Sequence, residues 1–593
     1  MDKDLDFTNK SNHIIGVFKS GNMLNSLEEI MELKNVSDYD PLFTTMKNYN
    51  VENNVLNTTT TLLKIVEKKS DNVYLVNTEN DGKIESKEIF VKFCPLINPL
   101  WYLTGKYSNE EKEDILRLPK MNDKSDNETM IKKNDSNNSA YIDNMFSYLT
   151  SKLQKKGFVH GLEYYGGYIG EKENFKTNVG DDLSYIYDSE YFLKNISKEF
   201  DIDNTDYKRN LNMSSKYREK IVIKSLKERN TISLKSVKEI DFENVFKSNT
   251  NNVNINELQE VKTIEPEPEG EIMELKSCSS SNTLNTISSC DSSLVSYTTD
   301  EDEGDEEDED EEDEEDEEDE EEEDDEESEE SEEENIYVTM PKFPVKVVCM
   351  EKCKATLDNY IDNFDESEIN TKNFINKWKS FMMQIIMTLL TYEQSFNFTH
   401  NDLHTNNIMY VETDIEYLYY EHNKITYKVP TYGKIFKIID FGRAIYDYKG
   451  VNYCSDAFKK GEDASTQYNF GVYVNEEKKI VEPNYSFDLC RLGCSVFDFI
   501  VNDLEEIDDL KKNKILKILL EWCEDDKGKN ILYKSSGEER YPDFKLYKMI
   551  ARTVHNHVPS KVINHWLFKK LIVNKKKVKK SKYMNIDAIP VYT

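Results

Sequence analysis

The sequence predicts a mixed α+β fold, with short strands in its first part and buried helices in its second. Three observations carry that reading. Residues 61–66, 72–76 and 87–93 are short β-branched and aromatic runs parted by polar turns, and each reads as a strand. Ile142, Phe146, Leu149 and Leu153 fall on one helical face, as do Trp378, Phe381, Met382, Ile385, Ile386, Leu389 and Leu390 further on. Between these blocks, residues 171–335 carry no apolar periodicity and end in an acidic run.

The elements follow in order. Residues 1–60 show little periodicity and read as an N-terminal extension. After the three strands, 107–138 is polar and reads as a loop insertion. The helix 139–153 comes next, and then a strand region at 157–161 and 164–169. Residues 171–335 cannot bury enough apolar surface to offset ordering entropy, so they are expected to be disordered. The closure cost of such an excursion grows only logarithmically with its length. Residues 343–351 resume as a strand, 356–361 as a helix, and the long helix leads directly into residue 400. Strands at 408–411 and 434–439 flank some twenty polar and tyrosine-rich residues. Leu489, Leu492, Val496, Phe499 and Ile500 mark another buried helix, and 504–570 reads as further helices.

Charge is concentrated rather than spread. The 593 residues carry a net charge of −39, yet residues 300–334 alone hold 32 acidic side chains and no basic one. The remainder has 83 acidic against 76 basic residues, a net of −7. The longest apolar run, 381–390, is short of the roughly 20 residues that cross a bilayer. Met1-Asp2-Lys3-Asp4 is not a signal-peptide opening. Nine cysteines, with Cys349/Cys353 and Cys490/Cys494 four apart, read as buried reduced thiols, with zinc as the alternative.

Two short pieces carry the chemistry. His400-Asn401-Asp402-Leu403-His404-Thr405-Asn406-Asn407 holds an Asp with an Asn five residues on. Ile438-Ile439-Asp440-Phe441-Gly442 puts an Asp at the end of an apolar run, before a glycine that can turn the chain. This is the layout of a phosphoryl-transfer site, in which one Asp orients the accepting hydroxyl and an Asn and a second Asp hold the metal on the nucleotide phosphates. The pair resembles the H-R-D-L-x-x-x-N and D-F-G signatures of protein kinases, with Asn401 where Arg is usual. The wider texture, in Phe398-Thr399-His400-Asn401-Asp402-Leu403-His404, in Ile438-Ile439-Asp440-Phe441-Gly442-Arg443-Ala444 and in the interrupted strand region, is similar to kinase-like proteins of giant DNA viruses such as mimivirus relatives.

The resemblance covers about 61–170 and 336–570. It implies a bilobal protein-kinase-like fold, with a β-rich small lobe split by the acidic insert and a mostly helical large lobe. The divisions would be 1–60 extension, 61–170 small lobe, 171–335 insert, 336–355 last strand and hinge, 356–570 large lobe and 571–593 basic tail. Lys92, in Ile89-Phe90-Val91-Lys92-Phe93, would hold the α- and β-phosphates of ATP. Asp143 stands on the helix whose Glu usually pairs that lysine. Their plain alternatives are a snorkelling strand lysine and an exposed Asp. Met350 and Glu351 would form the adenine-binding hinge. Asp402 would orient or accept the hydroxyl proton. His404 stands where serine/threonine kinases place a Lys and would touch the γ-phosphate; D-L-H-x-x-N also occurs in haspin-like kinases and aminoglycoside phosphotransferases. Asn407 and Asp440 would bind Mg2+. His400 reads as a packing residue, and Asp488 would bond the backbone of the catalytic loop.

Departures from the family pattern bear on activity. The turn 68–72 contains no glycine, so either lysine charge substitutes for backbone N–H groups at the phosphates or nucleotide binding is weak or lost. The helix 139–153 has no Glu, and no clear A-P-E closes the segment after Gly442. Asn401 removes the Arg that usually grips a phosphorylated activation segment. The expected function is ATP- and Mg2+-dependent transfer to protein serine or threonine hydroxyls, since Asn406 stands where tyrosine kinases place an Arg. The alternatives are an inactive kinase-like scaffold and a small-molecule kinase of the aminoglycoside or choline type. Thr298, Thr299 and Ser331 each have an acidic residue three positions on, the setting of an acidophilic kinase acting on the insert; otherwise the insert is a solvated spacer. Lys569, Lys570, Lys575, Lys576, Lys577, Lys579, Lys580 and Lys582 could import the chain to a nucleus, contact nucleic acid, pair with the acidic run, or form a solvated tail. An intracellular setting is expected, in host cytoplasm or virion if the chain is viral.

Overall fold

Strand alternation decides which residues the N-terminal sheet presents to each side. The computed structural model describes residues 22–37, 39–42, 58, 60–120, 127–180, 182–203, 336–363, 371–497, 499–501, 504, 507–575 and 583–593. Among them, β1 (Leu33–Ser37), β2 (Thr61–Lys68), β3 (Val73–Asn80), β4 (Lys83–Pro95), β5 (Tyr164–Asn178), β6 (Asp201–Ile202) and β7 (Tyr337–Glu351) form one antiparallel sheet. Its order is β1-β5-β7-β4-β3-β2, with β6 also on β7. On β4, Ile89, Val91 and Phe93 join Leu62, Ile65, Tyr74, Val76, Val345 and Val347 in one core. Phe90 and Cys94 join a second core with Ile142, Phe146 and Leu149 of α2 (Ser139–Leu153), the first helix being α1 (Asn22–Ile30). Lys92 shares the parity of Phe90 and Cys94, so the period of two turns its side chain toward α2.

The remaining described residues are mixed, with helices as the larger part. After α3 (Leu357–Asp362) comes α4 (Lys372–Phe396). Thr371 caps its start by accepting from the Phe374 N–H, and Asn397 ends it in the left-handed region, at φ 49°. β9 (Ile408–Glu412) and β12 (Lys434–Ile438) pair antiparallel, with β8 (Ala355–Thr356) beside β9. Then follow α5 (Phe487–Phe497), α6 (Lys514–Trp522) and α7 (Lys545–Thr553). A Cβ on Gly493 would lie 2.9 Å from the Trp522 Cβ, so α5 and α6 approach as closely as a glycine permits. Among the described residues no helix is long and apolar enough to cross a membrane. Seven described cysteines are buried and form no disulfide, and no described group of three His, Cys, Asp or Glu side chains could hold a metal, so the zinc alternative finds no site there.

Several boundaries move. The N-terminal extension is not featureless: α1 and β1 belong to the sheet region, and buried Asp40 pairs with Lys346 at 2.8 Å. The 107–138 insertion contains helices at Lys112–Leu116 and Glu128–Asn134. Lys133 is fully buried there because its ammonium donates to the carbonyls of Asp114, Ile115 and Arg117 at 2.8–2.9 Å, a cap that apolar periodicity cannot reveal. The tyrosine-rich stretch is a hairpin, β10 (Tyr417–His422) and β11 (Ile425–Pro430). It is extended by β15 (Ile572–Val573) and β16 (Tyr583–Asn585) of the region read as a tail, following the hairpin β13 (Ile445–Tyr448) and β14 (Val451–Cys454). Tyr592 stacks on Phe396 at 5.3 Å. Of the basic cluster, Lys575 pairs with Glu421, while residues 576–582 lie outside the described residues.

The insert does not begin at 171. β5 runs on to Asn178, pairing Lys172–Asn178 with Phe343–Tyr337, and two short helices and β6 follow. The apolar positions that hold this part, Phe175, Phe192, Phe200 and Ile202, are buried but too widely spaced to show a period. Residues 204–335, including Thr298, Thr299, Ser331 and the acidic run, lie outside the described residues. The Asp203 N–H donates to the Tyr337 carbonyl at 3.0 Å, so the two ends of that stretch already meet. Replacing 204–335 with a six-residue Gly/Ser linker is therefore expected to leave a cooperative fold, stabilised by about 2.5 kcal/mol through the shorter closure. Deleting 171–335 should instead unfold the sheet. Thermal melts of the two variants check both expectations.

Candidate functional site

The loop after α4 is held from behind. Asp488, in the first turn of α5, accepts from the N–H groups of His400 and Asn401, both at 2.9 Å. His400 is fully buried, with Nε2 2.9 Å from the Ile439 carbonyl and its ring 5.8 Å from Phe441, as a packing residue should be. Asn401 takes φ 65°, which its short polar side chain tolerates. Its amide donates to the Arg443 carbonyl at 2.9 Å and accepts from the Tyr468 hydroxyl at 2.7 Å. A neutral side chain thus ties the loop directly to the segment following Gly442.

The carboxylate of Asp402 has two partners: the Tyr547 hydroxyl donates to Oδ1 at 2.7 Å, and Arg443 lies 3.4 Å from Oδ2. Burial alone would raise its pKa, but Arg443, His404, Arg491 and the Tyr547 hydrogen bond hold it well below the usual carboxylate range. Burial lowers the His404 pKa to about 4 against the opposing pull of Asp402, so the imidazole is neutral at pH 7. It is not the fixed cation that a lysine there would be. Its Nε2 accepts from Asn407 Nδ2 at 3.0 Å, and the same amide donates to the Asp402 carbonyl at 2.9 Å. With both amide protons engaged, Asn407 offers its oxygen as the remaining ligand atom.

Lys92 joins the two halves of the site. Its Nζ lies 2.8 Å from Asp143 Oδ2 and 2.7 Å from Asp440 Oδ1. Asp143 Oδ1 accepts from the Phe441 N–H at 3.0 Å, so the shorter carboxylate spans the lysine and the D-F-G strand end together. Asp143 is 2% exposed, which removes its reading as a surface Asp. Burial opposes the charge on Asp440, but Lys92 keeps its pKa below the ordinary value. Asp440 holds φ 62° at the end of β12. Phe441 then packs against Phe146 of α2 at 4.8 Å and Phe398 at 5.9 Å, while Phe146 stacks on Phe398 at 4.3 Å.

These groups line a cleft of about 850 Å3, open to solvent, with Lys92, Asp143, Asp402, His404, Asn407 and Asp440 in its wall. An apolar end of about 520 Å3 continues from the same Lys92, Asp143 and Asp440, walled by Val73, Phe90, Leu162, Met350 and Met409. Glu351 borders that end, but its carboxylate is turned to Lys437 at 2.6 Å and the Glu163 N–H at 3.0 Å. The lysines of the 68–72 turn are paired locally, Lys68 with Asp71 at 3.1 Å and Lys69 with Glu67 at 2.7 Å, and neither is among the cleft-lining residues. Sequence reasoning missed Tyr547, Arg443 and Arg491, and also Asp463, which lines the cleft. Arg491 could have been found, since it lies three residues beyond Asp488 on one helical face; Tyr547 offers no local signal.

No family model matches the chain. Over 98 residues it is 33% identical to the serine/threonine-protein kinase haspin of Mus musculus, a stretch that makes up 16% of this chain and 13% of the mouse protein. The similarity reaches a small part of each chain and supports a kinase-like relation.

Proposed function

We propose that the chain is a bilobal kinase-like phosphotransferase that moves the γ-phosphoryl group of ATP to a serine or threonine hydroxyl of a protein. The observation that carries this is the convergence of Lys92, Asp143, Asp402, Asn407 and Asp440 on one cleft that continues into an apolar end. In this reading the apolar end, with Met350 and Glu351 at its border, receives adenine. Lys92, aligned by Asp143, lies along the α- and β-phosphates. Asp402, kept ionised, orients the acceptor hydroxyl and takes its proton as the hydroxyl oxygen bonds to the γ-phosphorus and the bond from that phosphorus to the bridging oxygen breaks, releasing ADP. The donor set suits Mg2+: one carboxylate and one amide oxygen leave room for the waters and phosphate oxygens that this ion retains. Bound there, Mg2+ would neutralise charge on the transferring phosphoryl group.

A silent scaffold is the second reading, favoured by the glycine-free turn whose lysines pair with their own neighbours. The two separate in one assay. Mg2+-dependent transfer of labelled phosphate from ATP to a generic protein substrate is expected for the full chain and absent from Asp402→Ala. No transfer by the unaltered chain would leave the scaffold.

A further inference from the structure

Asp402 is held from a direction that neither signature touches. Tyr547 reaches it from α7, 145 positions along the chain. Its oxygen lies 2.9 Å from Nε of Arg491 and 2.7 Å from Asp402 Oδ1. An arginine Nε–H can only donate, so the tyrosine oxygen accepts from Arg491 and its single proton is directed to Asp402. The ring has little freedom to turn away. It stacks on Phe544 at 5.2 Å, lies 6.0 Å from Phe487, and has the guanidinium carbons of Arg491 and Arg443 at 5.1 and 5.6 Å from its centroid. Arg491 stands one turn beyond Asp488, so one face of α5 fixes the loop backbone through Asp488 and the carboxylate through Arg491 and Tyr547.

We propose that Tyr547 is a positioning residue for phosphoryl transfer: oriented by Arg491, it locks Oδ1 of Asp402, so that the acceptor hydroxyl meets Oδ2, beside Arg443 at 3.4 Å. This rests on the phosphotransferase reading above. Neutral His404 adds no positive charge at pH 7, so the cation that meets Asp402 directly is Arg443, on Oδ2, and the hold on Oδ1 falls to Tyr547. Burial pushes the Tyr547 hydroxyl up to about 12, with Arg491 pulling against it, so the phenol remains a donor through neutral pH. Donation to the ionised form stabilises it; removing the hydroxyl therefore moves Asp402 toward a higher pKa.

The test compares the full chain with Tyr547→Phe and Arg491→Lys in two ways. In steady-state transfer from Mg2+-ATP, Tyr547→Phe should lower kcat by about 10- to 100-fold, leave KM for ATP unchanged, and move the acid limb of the kcat profile to higher pH. Arg491→Lys, which keeps the charge but loses the Nε donor, should fall between. Independently of activity, labelling of Asp402 by a water-soluble carbodiimide and an amine, which needs the protonated carboxyl, should begin at higher pH in Tyr547→Phe when read by mass spectrometry. An inactive unaltered chain with shifted labelling would sink the phosphotransferase reading and, with it, any positioning role in transfer, while leaving the contact to Asp402. Unchanged kcat, acid limb and labelling in a folded Tyr547→Phe would overturn the proposal itself.

Discussion

Asp440→Asn is expected to lower phosphoryl transfer by about 1,000-fold or more while leaving the fold in place. Asp440 would be the one anionic protein ligand of the metal, since Asn407 contributes a neutral amide oxygen. A bound metal is worth several kcal/mol of transition-state charge stabilisation, and about 4 kcal/mol corresponds to three decades of rate. The substitution keeps the shape of the side chain, and Asn accepts a φ of 62° at least as readily as Asp. Lys92 retains Asp143 at 2.8 Å, so the cation is not left alone. Transfer assays across a Mg2+ titration, with a thermal melt as control, check both halves. A variant with near-normal rates would remove Asp440 from the chemistry and, with it, the phosphotransferase reading.

What the sequence made legible follows from the range of the forces involved. The helix 139–153 was readable to the residue because Ile142, Phe146, Leu149 and Leu153 recur at helical spacing, and Asp402, His404, Asn407 and Asp440 were readable because their spacing is local to two loops. The contacts that set those residues to work are not local. Asp143 reaches Phe441 across 298 positions and Tyr547 reaches Asp402 across 145, and no window of sequence contains either pair. Edges failed for a similar reason. β5 continues past Gly170 because β7 lies beside it, and the register from Glu171 to Asn178 is supplied by a partner that returns only after residue 335. Polar composition in 107–138 concealed a buried lysine, Lys133, whose three carbonyl partners make it a structural element rather than a solvated charge. Composition measures the average cost of burying a segment; it does not register a single ammonium that meets all its hydrogen-bonding needs.

Lys92→Met should abolish transfer and also weaken the fold, and the second effect is the more informative about how the site is built. Met keeps most of the apolar stem and removes only the ammonium, which is shared by two carboxylates at the end of a side chain 6% exposed. Breaking a buried pair by deleting one partner costs about 3–5 kcal/mol, because the other charge stays behind without compensation. The pH dependence gives the sign. Lys92 depresses the Asp440 pKa, so the stability that this contact contributes is present above the ordinary aspartate pKa and is lost as pH falls through the folded-state value. The gap in unfolding free energy between the unaltered chain and Lys92→Met should accordingly be widest near pH 7 and narrow steadily below pH 4. A double variant, Lys92→Met with Asp143→Leu, should recover part of the stability by removing a stranded carboxylate, yet no transfer. Denaturant melts of the unaltered chain, Lys92→Met, Asp143→Leu and the double variant at pH 7 and at low pH close this cycle. A gap that does not depend on pH would mean that the ion pair of Lys92 with Asp440 does not supply the difference.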